Sequence, residues 1–117
     1  MNKESCLFCR IAKKEIPSKI VYEDDMALAF EDINPKAPVH LLIIPKLHIE
    51  RVSDIREEND NELVGHLISI ANKIAESRKI RESGYRIIIN CNKDAGQEVT
   101  HLHLHLLGGR KFSWPPG

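Results

Sequence analysis

Apolar residues in this chain fall into short blocks whose period changes several times. Leu7, Ile11 and Ala12 lie at helical spacing within Cys6–Lys14, and Pro17 stops the run, which predicts a short helix. Lys19–Glu23 and Ala27–Glu31 read as strands joined by a turn at Asp24-Asp25, and Asn34-Pro35 through Pro38 reads as a loop. His40–Ile44 is a short, mostly apolar run closed by Pro45, the pattern of a buried strand. The clearest helix follows. Leu63, Leu67, Ile70, Ala71 and Ile74 recur at three and four residues, polar Asn72, Lys73 and Glu76 fall outside that stripe, and the helix ends by Gly84. Tyr85–Asn90 is rich in β-branched residues, Lys93-Asp94-Ala95-Gly96 is a turn cluster, and His101–Leu107 is a strand closed by Gly108-Gly109. The expected fold class is α+β, with a five-stranded, largely antiparallel sheet and one long and one short helix. Without repeats or linkers, residues 1–117 read as one domain.

One segment departs from ordinary patterning. His101-Leu102-His103-Leu104-His105-Leu106-Leu107 holds three of the six histidines in strict alternation. On a strand this puts the imidazoles on one face and the alternating leucines on the other; on a helix His103 would lie nearly opposite His101 and His105. Same-face neighbours on a strand are about 7 Å apart, too far for all three to hold one small ion without bending. A division of labour fits better. A neutral imidazole nitrogen can attack phosphorus near pH 7, while a neighbouring ring bonds a phosphate oxygen or moves a proton.

Composition narrows the class. Seventeen Lys and Arg balance 17 Asp and Glu in 117 residues, so no electrostatic footprint for nucleic acid or an anionic membrane is expected. No apolar run approaches the ~20 residues of a membrane span, and Met1–Arg10 lacks the pattern of a secretory leader, so cytoplasmic residence is the expectation. Three cysteines do not make a disulfide scaffold. Cys6 and Cys9 form a C-x-x-C, more often metal or redox chemistry in a reducing compartment. Cys91 reads as an ordinary half-buried or buried thiol, and His66, inside the long helix, has no evident chemistry.

The histidine segment matches, at all seven positions, the His-φ-His-φ-His-φ-φ signature of the histidine triad superfamily. Ile16-Pro17-Ser18-Lys19, Phe30-Glu31-Asp32-Ile33-Asn34-Pro35, Ile44-Pro45-Lys46-Leu47-His48, Ala95-Gly96-Gln97 and Trp114-Pro115-Pro116-Gly117 also resemble its Hint branch, histidine triad nucleotide-binding proteins. The resemblance covers Ser5 to Gly117. It implies a hydrolase cleaving the P–N bond of purine nucleoside phosphoramidates, of AMP-amine or AMP-lysine type, through a nucleotidyl-histidine intermediate. The sister reading is a dinucleoside polyphosphate hydrolase, against which the terminal Trp-Pro-Pro-Gly argues. A reading from another class is a nucleotide-binding scaffold whose turnover is incidental.

By the same resemblance His103 is the nucleophile, His105 contacts a phosphate or bridging oxygen, and His40 orients or handles a proton. Asp32 matches the carboxylate that accepts both ribose hydroxyls, a task suited to its acceptor capacity. Leu7, Phe8, Ile11, Ile16 and Ile33 match positions enclosing the base, although Ile11 and Ile16 serve equally well as core. Asn90 faces the triad; Gly96 and Gln97 belong to the phosphate loop, where a glycine lets backbone N–H groups approach. Glu98 stands where some relatives carry a serine that meets the leaving group, and its charge would favour cationic amines. Trp114, in the tail 110–117, would reach toward the active site of a second subunit, implying a homodimer with the sheet continued across it.

The resemblance also implies a metal. Cys6, Cys9, His48 and His101 fill the four positions through which several relatives bind zinc; a Cys₂His₂ set is closed and structural, with no metal required for catalysis. The alternative is a redox-active or simply reduced cysteine pair.

Overall fold

The computed structural model describes residues 5–117; the Met1–Glu4 part of the segment read above for a leader lies outside the described residues. The chain runs α1 (Leu7–Ala12), β1 (Ile20–Glu23), β2 (Ala27–Glu31), β3 (Val39–Pro45), a 3₁₀ turn (Val52–Asp54), α2 (Glu57–Ser77), β4 (Tyr85–Ile88), the one-turn helix α3 (Asn92–Ala95) and β5 (Leu104–Gly108). All five strands form one antiparallel sheet in the order β1-β2-β3-β5-β4.

The two central apolar runs, ALAF in β2 and LLII in β3, are continuous rather than alternating because both faces of the sheet are covered. On one face Leu67, Ile70, Ala71 and Ile74 of α2 pack on Ala27, Ala29, Leu41, Ile43, Leu104 and Leu106. On the other, Cys6, Phe8, Cys9 and Ile11 of the α1 region pack on Leu28, Phe30, Leu42 and Ile44. Leu67 and Ile70 are fully buried, each worth about 1.5–3 kcal/mol of transfer free energy. Among the described residues, no helix is long and apolar enough to cross a membrane.

The strand predicted over His101–Leu107 is shorter. The ladder between β3 and β5 ends at Ile43–Leu104. Before it the chain leaves the sheet, with the Leu102 amide donating to the Ile49 carbonyl at 2.7 Å and the His101 amide to Val99 at 2.9 Å. The alternation survives this exit: Leu102, Leu104 and Leu106 stay in the core beneath α2. β4 likewise stops at Ile88, so Asn90 lies two residues beyond it, and the turn cluster at 93–96 is a single helical turn capped by Gly96 at φ +86°.

Candidate active site and metal centre

Hydrogen bonds assign a tautomer to almost every imidazole of the site. His103 is 7% exposed. Its Nδ1 lies 2.7 Å from the His101 carbonyl oxygen, which can only accept, so Nδ1 carries the proton and Nε2 keeps a lone pair. The Lys36 amide donates to His40 Nδ1 at 3.0 Å. That nitrogen is therefore the acceptor, and the His40 proton sits on Nε2, 3.0 Å from His105 Nδ1. His105 Nδ1 accepts in turn, leaving its own proton on Nε2. The chain of bonds thus builds a nucleophilic nitrogen on His103 and a donor on His105, with ring centroids 5.1 Å apart.

Burial keeps these rings neutral. It pushes His103 and His40 below the ordinary imidazole range, against the partial support of the His101 carbonyl for His103 and of Asp32 for both. His105 is lowered to about 4, by burial first and then by the neighbouring His103 and His40. Phe8 presses its edge against this wall, 5.1 Å from His103 at 90° and 6.0 Å from His101.

The rings open on a cleft of about 520 Å³ that also takes in Asp32, Asn90, Gly96 and Glu98. Asp32 Oδ1 accepts the Asn34 amide at 2.8 Å, and Oδ2 lies 3.4 Å from His40 Nε2. Each oxygen retains acceptor capacity for a cis-diol. Of the apolar residues expected to enclose a base, Phe8 and Ile33 line the cleft, Ile33 being 97% exposed. Ile11 is buried in the α1 cluster, Ile16 packs at its margin, and Leu7 points outward at 42% exposure. Leu42 and Val99 line the cleft instead; nothing local in the sequence marks them.

Gln97 departs from the phosphate-contact expectation. Its amide nitrogen donates to the Glu50 and Val99 carbonyls at 2.8 and 3.2 Å, and its oxygen accepts the Asn92 amide at 2.9 Å. Both ends of the side chain are committed to backbone, so Gln97 staples the loop. Trp114 is 83% exposed on this chain. His66, without chemistry in sequence, bonds Asp24 Oδ2 at 2.6 Å and ties α2 to the β1–β2 turn. Cys91 is half-buried, 3.5 Å from the Ser53 hydroxyl.

A second cluster lies at the other end of the triad. The ligand atoms of Cys6, Cys9, His48 and His101 all fall within 4.8 Å of one another. His101 Nδ1 is 3.3 Å from Cys6 Sγ, 3.5 Å from Cys9 Sγ and 3.2 Å from His48 Nδ1, which is 3.2 Å from Cys9 Sγ. Its Nε2 donates to the Pro45 carbonyl at 2.8 Å, so its Nδ1 lone pair faces the cluster, as a metal ligand requires. These four residues could hold a metal. Asp32, His40 and His105 are equally close, but the Lys36 amide occupies His40 Nδ1 and forces the proton onto the nitrogen a metal would need. The tautomer separates the two clusters.

This arrangement, a triad strand over a two-faced antiparallel sheet, is that of a histidine triad hydrolase fold. The chain belongs to the HIT domain family, whose model matches residues 13–112. It is 52% identical over 107 residues to a protein named purine nucleoside phosphoramidase from Escherichia coli (strain K12), covering 92% of this chain and 89% of that one. Its structure resembles a HIT family hydrolase from Legionella pneumophila Philadelphia 1 at TM-score 0.94 and 52% identity, covering 97% of this chain and 100% of the other. A histidine triad protein from Clostridium difficile follows at TM-score 0.92 and 47% identity, covering 97% of each chain.

Proposed function

We propose that the protein hydrolyses purine nucleoside phosphoramidates, releasing a nucleoside monophosphate and an amine. The observation that carries this reading is the tautomer chain, which leaves an unprotonated Nε2 on His103 and a protonated Nε2 on His105 in one cleft. The identity to the Escherichia coli phosphoramidase supports the substrate class. His103 Nε2 attacks the α-phosphorus, a P–N bond forms to the imidazole, and the P–N bond to the amine breaks as the amine leaves with a proton taken from solvent, which the water of the next step gives back. Water then attacks the nucleotidyl-histidine and returns His103 to its starting state. His105 Nε2–H and backbone amides near Gly96 bond the phosphoryl oxygens as charge builds on them. Asp32 accepts the ribose hydroxyls, while Phe8 and Ile33 flank the base. Asn90 faces the triad from beyond β4.

The Cys6–Cys9–His48–His101 set binds zinc in this reading. Four protein ligands leave no open position, so the ion is structural and tethers α1 to the residue whose carbonyl sets the His103 tautomer. The need for reduced thiols supports cytoplasmic residence. Residues 1–117 act as one domain in a homodimer whose sheet continues across the interface and whose tail 110–117 carries Trp114 toward the partner's site. Neutral net charge supports a small-molecule substrate rather than nucleic acid or membrane.

Steady-state turnover of a fluorogenic adenosine phosphoramidate and of a diadenosine polyphosphate, for wild type and His103→Ala, tests the reading. The expected result is phosphoramidate turnover lost by at least about 10³-fold in the variant, with little turnover of the polyphosphate. Preference for the polyphosphate would move the protein to the sister activity. Tight AMP binding without turnover of either would leave a scaffold.

A further inference from the structure

The His40–His105 relay begins at one backbone amide, that of Lys36, in the loop between β2 and β3. Pro35 and Pro38 fix their own φ and restrict Asn34 and Ala37 before them. Lys36, between these restrained positions, is held on both sides: its amide donates to His40 Nδ1, and its carbonyl oxygen accepts Arg110 Nε at 3.0 Å.

Arg110 is built into its position. Gly109, at φ +91°, brings the chain leaving β5 so close to the loop that a Cβ there would lie 3.0 Å from Pro38 Cβ. The Arg110 guanidinium lies 4.3 Å from the centroid of the Phe112 ring and donates from Nη1 to the Lys111 carbonyl at 3.2 Å. Arg86 lies 5.1 Å from the same ring and donates to the Ser113 carbonyl. An exposed arginine with this many restraints loses less freedom on making one further bond than a free one would.

We propose that Arg110 is a positioning residue for the hydrolysis: by holding the Lys36 carbonyl it keeps the Lys36 amide on His40 Nδ1, and so fixes His105 as a donor through Nε2. Arg110 touches neither the substrate nor the reacting atoms. The inference rests on the reading of His105 as the phosphoryl donor, and imidazole tautomers can be read independently of turnover.

The test combines ¹⁵N NMR of the histidine rings with steady-state kinetics on wild type, Arg110→Ala and Arg110→Lys. In wild type, His40 and His105 should each appear as the single Nε2–H tautomer. In Arg110→Ala both should shift to averaged tautomers, with kcat down about three- to tenfold and KM within about twofold. Arg110→Lys retains a donor for the Lys36 carbonyl and should restore the tautomers and most of kcat. Unchanged tautomers in Arg110→Ala overturn the proposal whatever the rate does, as does a shift of tautomers with no change in kcat. A rise in KM alone would make Arg110 a ligand contact and overturn it too. Absence of phosphoramidate turnover in wild type would sink the functional reading, while the NMR comparison would still decide whether Arg110 sets the tautomers.

Discussion

Replacing Cys9 by serine tests through stability whether the Cys6–Cys9–His48–His101 cluster holds zinc. Zinc with Zn–S near 2.3 Å and Zn–N near 2.0–2.1 Å places tetrahedral N–N and S–N pairs about 3.3–3.6 Å apart. Four of the six ligand pairs span 3.2–3.5 Å, within a few tenths of an ångström of those separations, and all the ligand atoms lie within 4.8 Å of one another. A site held at about 100 times its dissociation constant contributes about 2.7 kcal/mol to the folded state. For a domain of this size each kcal/mol moves Tm by roughly 3–6 °C. Cys9→Ser, or a strong chelator on wild type, should therefore lower Tm by about 8–16 °C. The comparison needs zinc content by elemental analysis beside calorimetry, with near one zinc per chain in wild type and little in the variant. Phosphoramidate turnover should fall as well, because the carbonyl that sets the His103 tautomer belongs to His101, a member of that cluster. Wild type purified without metal, and unmoved in Tm by added zinc or by chelator, would refute the argument and favour a reduced cysteine pair.

Four further outcomes follow from particular residues. Because burial holds the triad imidazoles below their ordinary range and His105 near 4, kcat/KM should stay level as pH falls through 6.5 and decline only below it; an inflection at 6.5 would contradict the burial argument. The sign for stability follows from the same shift. The unfolded chain protonates His105 near 6.5 and the folded chain only near 4, so its contribution is complete above about 6.5 and is lost as pH falls toward 4, which urea titrations across that window would show. Gly109→Ala forces a left-handed conformation on alanine and crowds Pro38, and should cost about 1–2 kcal/mol in urea unfolding; an unchanged midpoint would mean the 35–38 loop gives way freely. Glu98→Ser should reduce the preference for a lysyl over a neutral-amine adenylate, since Glu98 lines the cleft and brings a negative charge to it; an equal ratio in both proteins removes its role in choosing the leaving group.

Local period determined much of this protein. Alternation in 101–106 sends Leu102, Leu104 and Leu106 beneath α2 and the histidines to the opposite face, even though the ladder begins only at Leu104. The apolar run of His40–Ile44 announced a buried strand and Ala27–Glu31 a strand, and the stripe from Leu63 to Ile74 announced the helix that covers one face of the sheet. These signals are legible because side-chain direction repeats over two or three to four residues. Tertiary structure alone decided which nitrogen of each histidine holds the proton. That choice depends on backbone groups distant in sequence or unmarked by side-chain pattern: the Lys36 amide for His40 and the His101 and Pro45 carbonyls for His103 and His101. It likewise set Gln97 to staple its loop, gave His66 a carboxylate partner 42 residues away, and brought Cys6 to His101 across 95 residues. Residue types state what chemistry is available; a hydrogen bond's direction depends on which donors and acceptors the folded backbone leaves within about 3 Å.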